Sequence, residues 1–250
     1  MRKEFVLFIA AIALCACERN PFTPKSATLY CGDSFRLTTK GVSVESLQST
    51  DRFVASVDVT GMVTAKHVGS AAITALPYVL SDGTIAYDAN NACEITVKPR
   101  HTYFTEPLMD WDISQEELIA KIGSAPDTTM VFDNESHSLS MPIFGDYYNG
   151  DSHGYIFVDN KLKASHIISR TASMEKAKDF MDERYEVTAD YGDELFYVNS
   201  YSNDATLLII LQDTEDEVGP AVAVTYNPTP EKITILDTTF YNVRQLGWKR

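Results

Sequence analysis

The chain has 250 residues, 22% of which are charged, and its formal net charge is −14 at pH 7. A protein with this negative charge repels the phosphates of nucleic acids and the headgroups of anionic lipids. The charge therefore disfavours nucleic-acid binding as its function. The length allows one or two domains, each large enough to bury a core of its own.

The first residues have the layout of an export signal. Arg2 and Lys3 precede an apolar run from Phe5 to Leu14, and small residues then lead to Cys17. A basic head followed by a short apolar segment is typical of a signal peptide that is removed during export. A transmembrane helix is the alternative, but it would need about 20 apolar residues, and this run is too short.

The sequence Leu14-Cys15-Ala16-Cys17 resembles the lipobox of bacterial lipoproteins. The resemblance implies a signal peptide over residues 1–16, acylation of Cys17, and a lipidated tether over residues 17–24. Three acyl chains, at about 0.8 kcal/mol per buried methylene, would hold the protein on a membrane without a spanning segment. We therefore expect a lipid-anchored envelope protein of the outer membrane, on either its surface or its periplasmic face.

Two cysteines, Cys31 and Cys93, remain beyond the tether. Exported proteins fold in an oxidising compartment, where two thiols can form a disulfide. Closing a loop of about 60 residues would contribute roughly 4 kcal/mol in the chain-entropy treatment. A pair of free, buried thiols is the alternative, and the spacing alone does not decide between them.

Residues 25–98 alternate short β-branched and aromatic runs with turn residues, which is typical of an all-β sandwich. Glycine-containing dipeptides between the runs supply the backbone freedom that tight connections need. The predicted strands are Thr28–Cys31, Ser34–Thr39, Val54–Asp58, Met62–Lys66, Ala71–Leu76 and Cys93–Lys98.

Five motifs follow one another in this region: Leu29-Tyr30-Cys31-Gly32-Asp33, Val54-Ala55-Ser56-Val57-Asp58, Gly61-Met62-Val63-Thr64-Ala65, Val68-Gly69-Ser70-Ala71 and Ile73-Thr74-Ala75. Together they resemble the bacterial immunoglobulin-like group 2 family, whose modules recur in intimin-type and invasin-type adhesins and in surface lipoproteins. The resemblance implies an immunoglobulin-like sandwich over residues 25–98 that acts as a spacer or adhesive module, without catalysis. The chain departs from the family at Leu47, where a Trp is usual, and in a last hairpin lengthened from Pro77 to Asn91.

Residues 100–250 follow a break at Pro99 and show a different pattern. Ser114 and Glu117 form a capping box and Gly123 is placed to end the helix, so the sequence predicts a helix over 115–122. A second helix fits 173–183, where apolar residues share one stripe. The predicted strands are 129–132, 138–143, 154–158, 161–169, 185–189, 195–201, 206–211 and 221–226, with a tight turn at Asp159-Asn160.

The order of helix, four strands, helix and four strands predicts a duplicated α+β unit, in which each antiparallel sheet covers one helix. This pattern resembles the helix-plus-sheet modules of β-lactamase-inhibitor-protein-like proteins and of small outer-membrane lipoproteins. Residues 234–243 are predicted to add a closing strand.

Few residues indicate chemistry. The five histidines (67, 101, 137, 153 and 166) lack metal-ligand spacing. Asp151-Ser152-His153 has the residue types of a triad, but neighbouring side chains on a loop cannot form the required line of hydrogen bonds, so a polar hairpin is favoured. Acidic loops around Asp146 and at 213–217 could bind calcium, although solvated loops have the same composition. We therefore predict no catalytic residues, no metal and no cofactor.

Tyr147 and Tyr148 are the candidate partner-binding residues, because exposed tyrosines bury a large flat area at little entropic cost. The alternative is the general abundance of tyrosine in β-sheets. The sequence favours a lipid-anchored envelope protein whose immunoglobulin-like module presents an α+β domain to a surface protein or glycan. The alternative is an enzyme or inhibitor that acts on envelope polymers through paired carboxylates.

Overall fold

The computed structural model describes residues 20–75, 78–79, 85–132, 137–201, 205–216 and 218–229, with the backbone alone at 78–79, 85–86 and 89. This part of the chain is mostly β-strand, in predominantly antiparallel sheets, with two α-helices. The predicted signal peptide, Cys17 and the predicted strand over 234–243 lie outside the described residues.

The N-terminal region contains short strands and two 3₁₀ helices, Val44–Ser46 and Ala89–Asn91. Its strands are β1 (Phe22–Thr23), β2 (Ser26–Tyr30), β3 (Ser34–Arg36), β4 (Thr38–Thr39), β5 (Gln48–Ser49), β6 (Ala55–Val57), β7 (Met62–Ala65), β8 (Gly69–Thr74), β9 (Tyr78–Val79), β10 (Ile85–Ala86) and β11 (Ala92–Lys98).

Two sheets of this region, in the orders β2-β11-β8-β5 and β3-β7-β6, contribute to one hydrophobic core. The β2–β11 pair is parallel, and β1–β4 and β9–β10 form separate pairs. Leu47 lies in the core, 8% exposed. Gly69 is required where it stands, because its φ is 152° and a Cβ there would lie 2.8 Å from Cγ2 of Val54.

The predicted tether is wrong from Asn20 onward. Phe22 is only 2% exposed and belongs to the same core, and β1 pairs with β4. The Asn20 side chain donates to the carbonyl of Ala92 at 2.6 Å. Burying a phenylalanine ring is favourable enough to draw this short segment into the fold.

The second region contains two helices, α1 (Gln115–Ile122) and α2 (Met174–Asp182). Its strands are β12 (Thr128–Phe132), β13 (Leu139–Gly145), β14 (Asp151–Val158), β15 (Lys161–Ser169), β16 (Glu186–Asp190), β17 (Glu194–Val198), β18 (Leu207–Asp216) and β19 (Gly219–Pro228).

These strands form one sheet in the order β12-β13-β14-β15-β19-β18-β17-β16. The prediction of a separate sheet for each helix is therefore wrong. The last strand of each run of four, β15 and β19, pairs antiparallel at the centre, with Ser165 opposite Tyr226 and Ser169 opposite Val222. This pairing satisfies backbone groups that two separate sheets would leave at open edges.

Both helices cover the same face of the sheet. Leu118 of α1 packs on Tyr155 and Phe157, while Phe180 of α2 packs in a larger cluster with Tyr197. On the opposite face a third cluster surrounds Met141, Ile143 and Ile168. Side chains alternate between the two faces, as the period of two along a strand requires.

Local predictions agree with the structure at two places. The Ser114 side chain accepts from the amide of Glu117, whose own side chain accepts from the amide of Ser114, which confirms the capping box. Asp159 and Asn160 both have positive φ, 50° and 58°, as a two-residue hairpin turn requires. Residues 151–153, predicted as loop, instead begin β14.

Candidate functional site

The segment between β11 and α1 is fixed across the helix-covered face of the sheet. The amide of Leu108 donates to the Tyr155 hydroxyl at 3.3 Å, and its carbonyl accepts from Oγ of Ser165 at 2.7 Å. Phe104 packs edge-on against Phe180, with ring centroids 5.2 Å apart. The segment therefore forms a wall of the cleft beside it.

This cleft has a volume of about 290 Å³. Tyr103 is the most exposed of its aromatic rings, at 45%, whereas Phe104 and Phe144 are largely buried. Aromatic walls with a few polar groups are typical of small-ligand sites. The lining residues are Tyr103, Phe104, Thr105, Phe144, Gly145, Asp151, Ser152, His153 and Ile167.

Asp151 and His153, two of the ionisable side chains of the cleft, each offer an acceptor atom. Oδ1 of Asp151 accepts from Ser169 at 2.5 Å and from Thr171 at 3.1 Å, while Oδ2 has no partner among the described residues. Nε2 of His153 lies 2.7 Å from the carbonyl of Thr105. A carbonyl only accepts, so Nε2 carries a proton, and in the neutral ring Nδ1 is an acceptor.

Asp151, Ser152 and His153 do not form a triad. Successive residues of β14 point to opposite faces of the sheet, so the Ser152 side chain faces away from those of its two neighbours. A catalytic serine must instead hydrogen-bond to its histidine. The rejection of a triad on grounds of chain adjacency therefore agrees with this geometry.

Two buried polar atoms on the other face of the sheet have no hydrogen-bond partner within the described chain: Oγ of Ser152 and Nε2 of His166. Gly154 lies opposite His166 in the β14–β15 register, which places Ser152 diagonally across from the imidazole. Nδ1 of His166 lies 2.9 Å from Oγ1 of Thr225. Burial lowers the pKa of His166 to about 4, so the ring is neutral at pH 7.

Sequence reasoning missed this pair. The alternating pattern of β15 places residue 166 on one face of the sheet with 164 and 168, but it gives no sign that a polar atom there lacks a partner. Unpaired buried groups are rare and call for water or another ligand to satisfy them.

The two candidate tyrosines have different surroundings. Tyr147 is only 5% exposed, and its hydroxyl donates to Asp216 at 2.6 Å, so the prediction of an exposed residue is wrong for it. Burial and the neighbouring carboxylate raise the pKa of Tyr147 well above its usual value. Tyr148 is 60% exposed and packs edge-on against the Tyr147 ring. Of these two tyrosines, Tyr148 is therefore the one whose ring is exposed.

Arg170 is nearly buried and links its own loop, after β15, to the β13–β14 loop and to the β18–β19 turn. Its guanidinium bonds to the Asp216 carboxylate at 2.7 Å, to the carbonyl of Tyr147 at 2.6 Å and to the carbonyl of Gly219 at 2.9 Å. It also lies over the Tyr147 ring, 4.8 Å from the centroid. This Arg170 cluster, made of Arg170, Tyr147, Asp216 and Gly219, fixes the turn that carries Tyr148.

The acidic loops have structural partners. Asp146 accepts from the amide of Asn149 at 3.0 Å, and Asp216 is bound by Arg170, while residue 217 lies outside the described part. Within the described ranges no three His, Cys, Asp or Glu side chains are grouped as a metal site would require. Calcium binding therefore remains without geometric support in these residues.

The two regions meet at a polar junction around Glu183, which is 7% exposed. Its carboxylate accepts from the amides of Arg100 and His101, in each case at 2.8 Å to Oε2. Its carbonyl accepts from the amide of Val68 at 2.8 Å and from Sγ of Cys31 at 3.4 Å.

Aromatic contacts add to this junction. The Tyr201 ring packs against Phe53 at 5.1 Å, and Nζ of Lys66 lies 4.9 Å from its centroid. Nε2 of His67 lies 3.6 Å from the Glu186 carboxylate. Contacts on both sides of the linker thus fix the second region against the first.

The disulfide considered between Cys31 and Cys93 is not formed, and both thiols are free. β2 and β11 are parallel, with Ser26 opposite Glu94 and Tyr30 opposite Lys98, so the cysteines lie at opposite ends of the pair. About six residues along a strand separate them by about 20 Å, far beyond the reach of a disulfide. Burial raises the pKa of each thiol to about 11.

None of the helices in the described ranges is long and apolar enough to cross a membrane.

No family model matches this chain, and no curated protein matches it. A cysteine-rich secretory protein from Staphylococcus aureus subsp. aureus Mu50 is similar to it with a TM-score of 0.24 and 11% sequence identity. The similarity covers 52% of this chain and 48% of that one, so the chain spans about half the length of the structure it matches. A similarity of this size carries no argument about function.

Proposed function

We propose that this chain is an exported, lipid-anchored protein of the bacterial outer membrane that binds a glycan. In this proposal Cys17 carries the lipid, an immunoglobulin-like sandwich over residues 25–98 acts as the spacer, and an α+β domain from residue 100 onward carries the cleft. The anchor is supported by the lipobox-like sequence. The spacer is supported by two facing sheets that share one core where the family-like motifs lie.

The cleft beside Asp151 is the observation that carries the binding proposal. An exposed aromatic ring, here Tyr103, can stack on the apolar face of a sugar. Acceptor atoms on Asp151 and His153 can accept hydrogen bonds from the hydroxyls of the same sugar. Aromatic area with convergent polar atoms therefore suits a monosaccharide unit of a glycan.

The cleft extends along the sheet from the junction. Along the strand register Asp151 is level with Val222 of β19, whereas Glu186 at the junction is level with Asn227. Five residues of antiparallel strand separate these levels by about 17 Å. Tyr103 lies nearer the junction, because its hydroxyl is 3.3 Å from Nδ1 of His101, whose amide donates to Glu183. The Asp151 end of the cleft is therefore the end that is farther from the spacer.

Binding is favoured over catalysis because the cleft supplies a single carboxylate. Glycoside hydrolysis in general uses two, about 5 to 10 Å apart, one as acid and the other as base or nucleophile. Among the residues that line this cleft, Asp151 alone carries one. The alternative of an envelope-polymer enzyme thus has less support than a binding protein.

A glycan array probed with the purified full chain tests the binding proposal. We expect retention on a subset of glycans, with Tyr103→Ala and Asp151→Asn each weakening binding by about tenfold, the loss of roughly one stacking or hydrogen-bond contribution. Tyr191→Ala is the matched control, because Tyr191 is also exposed, at 71% against 45% for Tyr103, but lies outside the cleft. Equal losses in all three variants, or no retained glycan, would contradict the proposal.

The anchor is tested separately by labelling growing cells with palmitate. We expect label in the wild type and none in Cys17→Ala, which should also leave the membrane fraction. Labelled Cys17→Ala, or unlabelled wild type, would rule out the lipid anchor while leaving the cleft proposal intact.

A further inference from the structure

The outer edge of the eight-stranded sheet at β12 offers unpaired backbone groups. Among the described residues β12 pairs with β13 alone, so one side of it is open. Thr129 is opposite Pro142, which has no N–H and cannot exchange hydrogen bonds with it. Antiparallel pairs alternate between bonded and unbonded, so the amides and carbonyls of Thr129 and Val131 point outward.

The two edges of this sheet differ in protection. β16, at the other edge, has an irregular register between Val187 and Ala189, and its Glu186 and Asp190 side chains lie 3.6 Å and 3.9 Å from His67 and Lys178. Bulges and charges of this kind block the addition of another strand.

β12 has neither form of protection. Its five residues, Thr-Thr-Met-Val-Phe, carry no charge and no proline, and its pairing with β13 is regular. Val131 is 75% exposed on it. An uncharged edge rich in β-branched residues is a template for another strand unless a partner covers it.

We propose that β12 binds an extended, basic segment of a partner protein, which adds to the sheet as a ninth strand. The unpaired amides and carbonyls select an extended backbone, and β-strand addition is an established mode of peptide recognition. The net charge of −14 and the exposed Asp127 just before β12 select a positively charged segment. The same charge disfavours a second copy of this chain, because two acidic molecules repel each other.

This proposal does not rest on the glycan proposal and can be tested with a synthetic probe. The probe is a fluorescent peptide, Lys-Thr-Val-Thr-Val-Thr-Lys, blocked at both ends, and the readout is its anisotropy on titration with the full chain. We expect binding that weakens with added salt, and at least about tenfold weaker binding of the same peptide with Glu at both ends.

Val131→Pro is the decisive variant, because proline removes an outward amide while it is tolerated on edge strands where the N–H faces solvent. We expect it to weaken peptide binding by about tenfold or more, whereas Val131→Thr keeps the amide and should bind within about threefold of wild type. N-methylation of the central peptide residues should abolish binding to the wild type, which tests the hydrogen bonds without altering the protein.

Three results would overturn the proposal. They are unchanged binding of the basic peptide to Val131→Pro, equal binding of the N-methylated peptide, and a wild-type dimer that Val131→Pro dissociates, which would identify a second copy as the occupant. Tyr103→Ala should leave peptide binding unchanged, so failure of the glycan proposal is distinguished from failure of this one.

Discussion

The junction between the two regions and the face of the sheet opposite the helices differ in whether their buried polar groups have hydrogen-bond partners. At the junction both Glu183 carboxylate oxygens accept from backbone amides, and its carbonyl has partners as well. On the sheet face, Ser152 Oγ and His166 Nε2 are equally buried but have no partner among the described residues. Both regions belong to one fold, so burial alone does not indicate what a polar group contributes.

Whether a buried polar group has a hydrogen-bond partner decides how much stability is lost when that group is removed. A buried polar group with partners loses its bonds when those partners are removed, and the loss includes the cost of an orphaned atom. A group already without a partner has no such bond to lose. Substitutions at paired sites should therefore destabilise strongly, and those at unpaired sites weakly.

Among buried polar groups that have partners, Arg170 should show the largest loss of stability when it is replaced by Met. The Arg170 and Asp216 side chains are 7% and 13% exposed and form an ion pair at 2.7 Å. Removing one partner of a buried pair strands the other charge, so we expect about 3–5 kcal/mol less stability against urea unfolding. The Arg170→Met, Asp216→Leu double variant should recover part of this loss; additive losses would mean that the two side chains are not coupled.

Acid should lower the stability of the folded protein, because His166 is buried as a neutral ring on the sheet face opposite the helices. The pKa of His166 is about 4 in the folded protein, because burial disfavours the charged ring, against about 6.5 when it is unfolded. The unfolded state therefore takes up a proton first, and stability falls between about pH 6.5 and pH 4, by at most about 3 kcal/mol.

His166→Leu should flatten this part of the stability profile, because it removes the group that titrates between those pH values. Urea unfolding measured at several pH values is the test. A wild-type profile that stays level from pH 6.5 to pH 4, or a variant profile that falls equally steeply, would contradict the burial of a neutral histidine.

Glu183→Gln should weaken the junction by about 2 kcal/mol, since hydrogen bonds to a charged acceptor are worth about 1.5–3 kcal/mol and the new amide group turns a donor toward backbone donors. Small-angle scattering should show a wider range of distances between the two regions. Glu186→Gln is the matched control, because that side chain is 42% exposed and its contact with His67, at 3.6 Å, should be worth under about 1 kcal/mol. Equal effects of the two changes would contradict a buried, organising role for Glu183.

The features that sequence reasoning predicted are local ones. The helix over 115–122 follows from Ser114, Glu117 and Gly123, all within one short segment, and the turn at Asp159-Asn160 follows from two adjacent residues. Each of these signals lies within hydrogen-bonding range along the chain, so the sequence carries it without knowledge of the fold.

The features that sequence reasoning missed depend on partners that are far away along the chain. Glu183 accepts from an amide 83 residues away, and β15 pairs with β19 across an intervening helix and three strands. Turn-like composition also misled the prediction at 151–153, because pairing with β13 and β15 extends β14 through these polar residues. The cleft combines both difficulties, since its walls come from the linker and from three separate strands.

Two serines of the sheet give the smallest expected effect and the most direct comparison. Ser165 is fully buried and donates to the carbonyl of Leu108 at 2.7 Å, whereas Ser152 is 4% exposed and its Oγ has no partner in the described part of the chain. Ser165→Ala leaves an orphaned carbonyl and should cost about 1–2 kcal/mol in urea unfolding. Ser152→Ala should change stability by less than about 0.5 kcal/mol, because it removes a hydroxyl that makes no bond. A loss at Ser152 as large as that at Ser165 would mean that a water or ligand binds Ser152 in solution. The buried polar groups of this sheet face would then have hydrogen-bond partners, as Glu183 has at the junction.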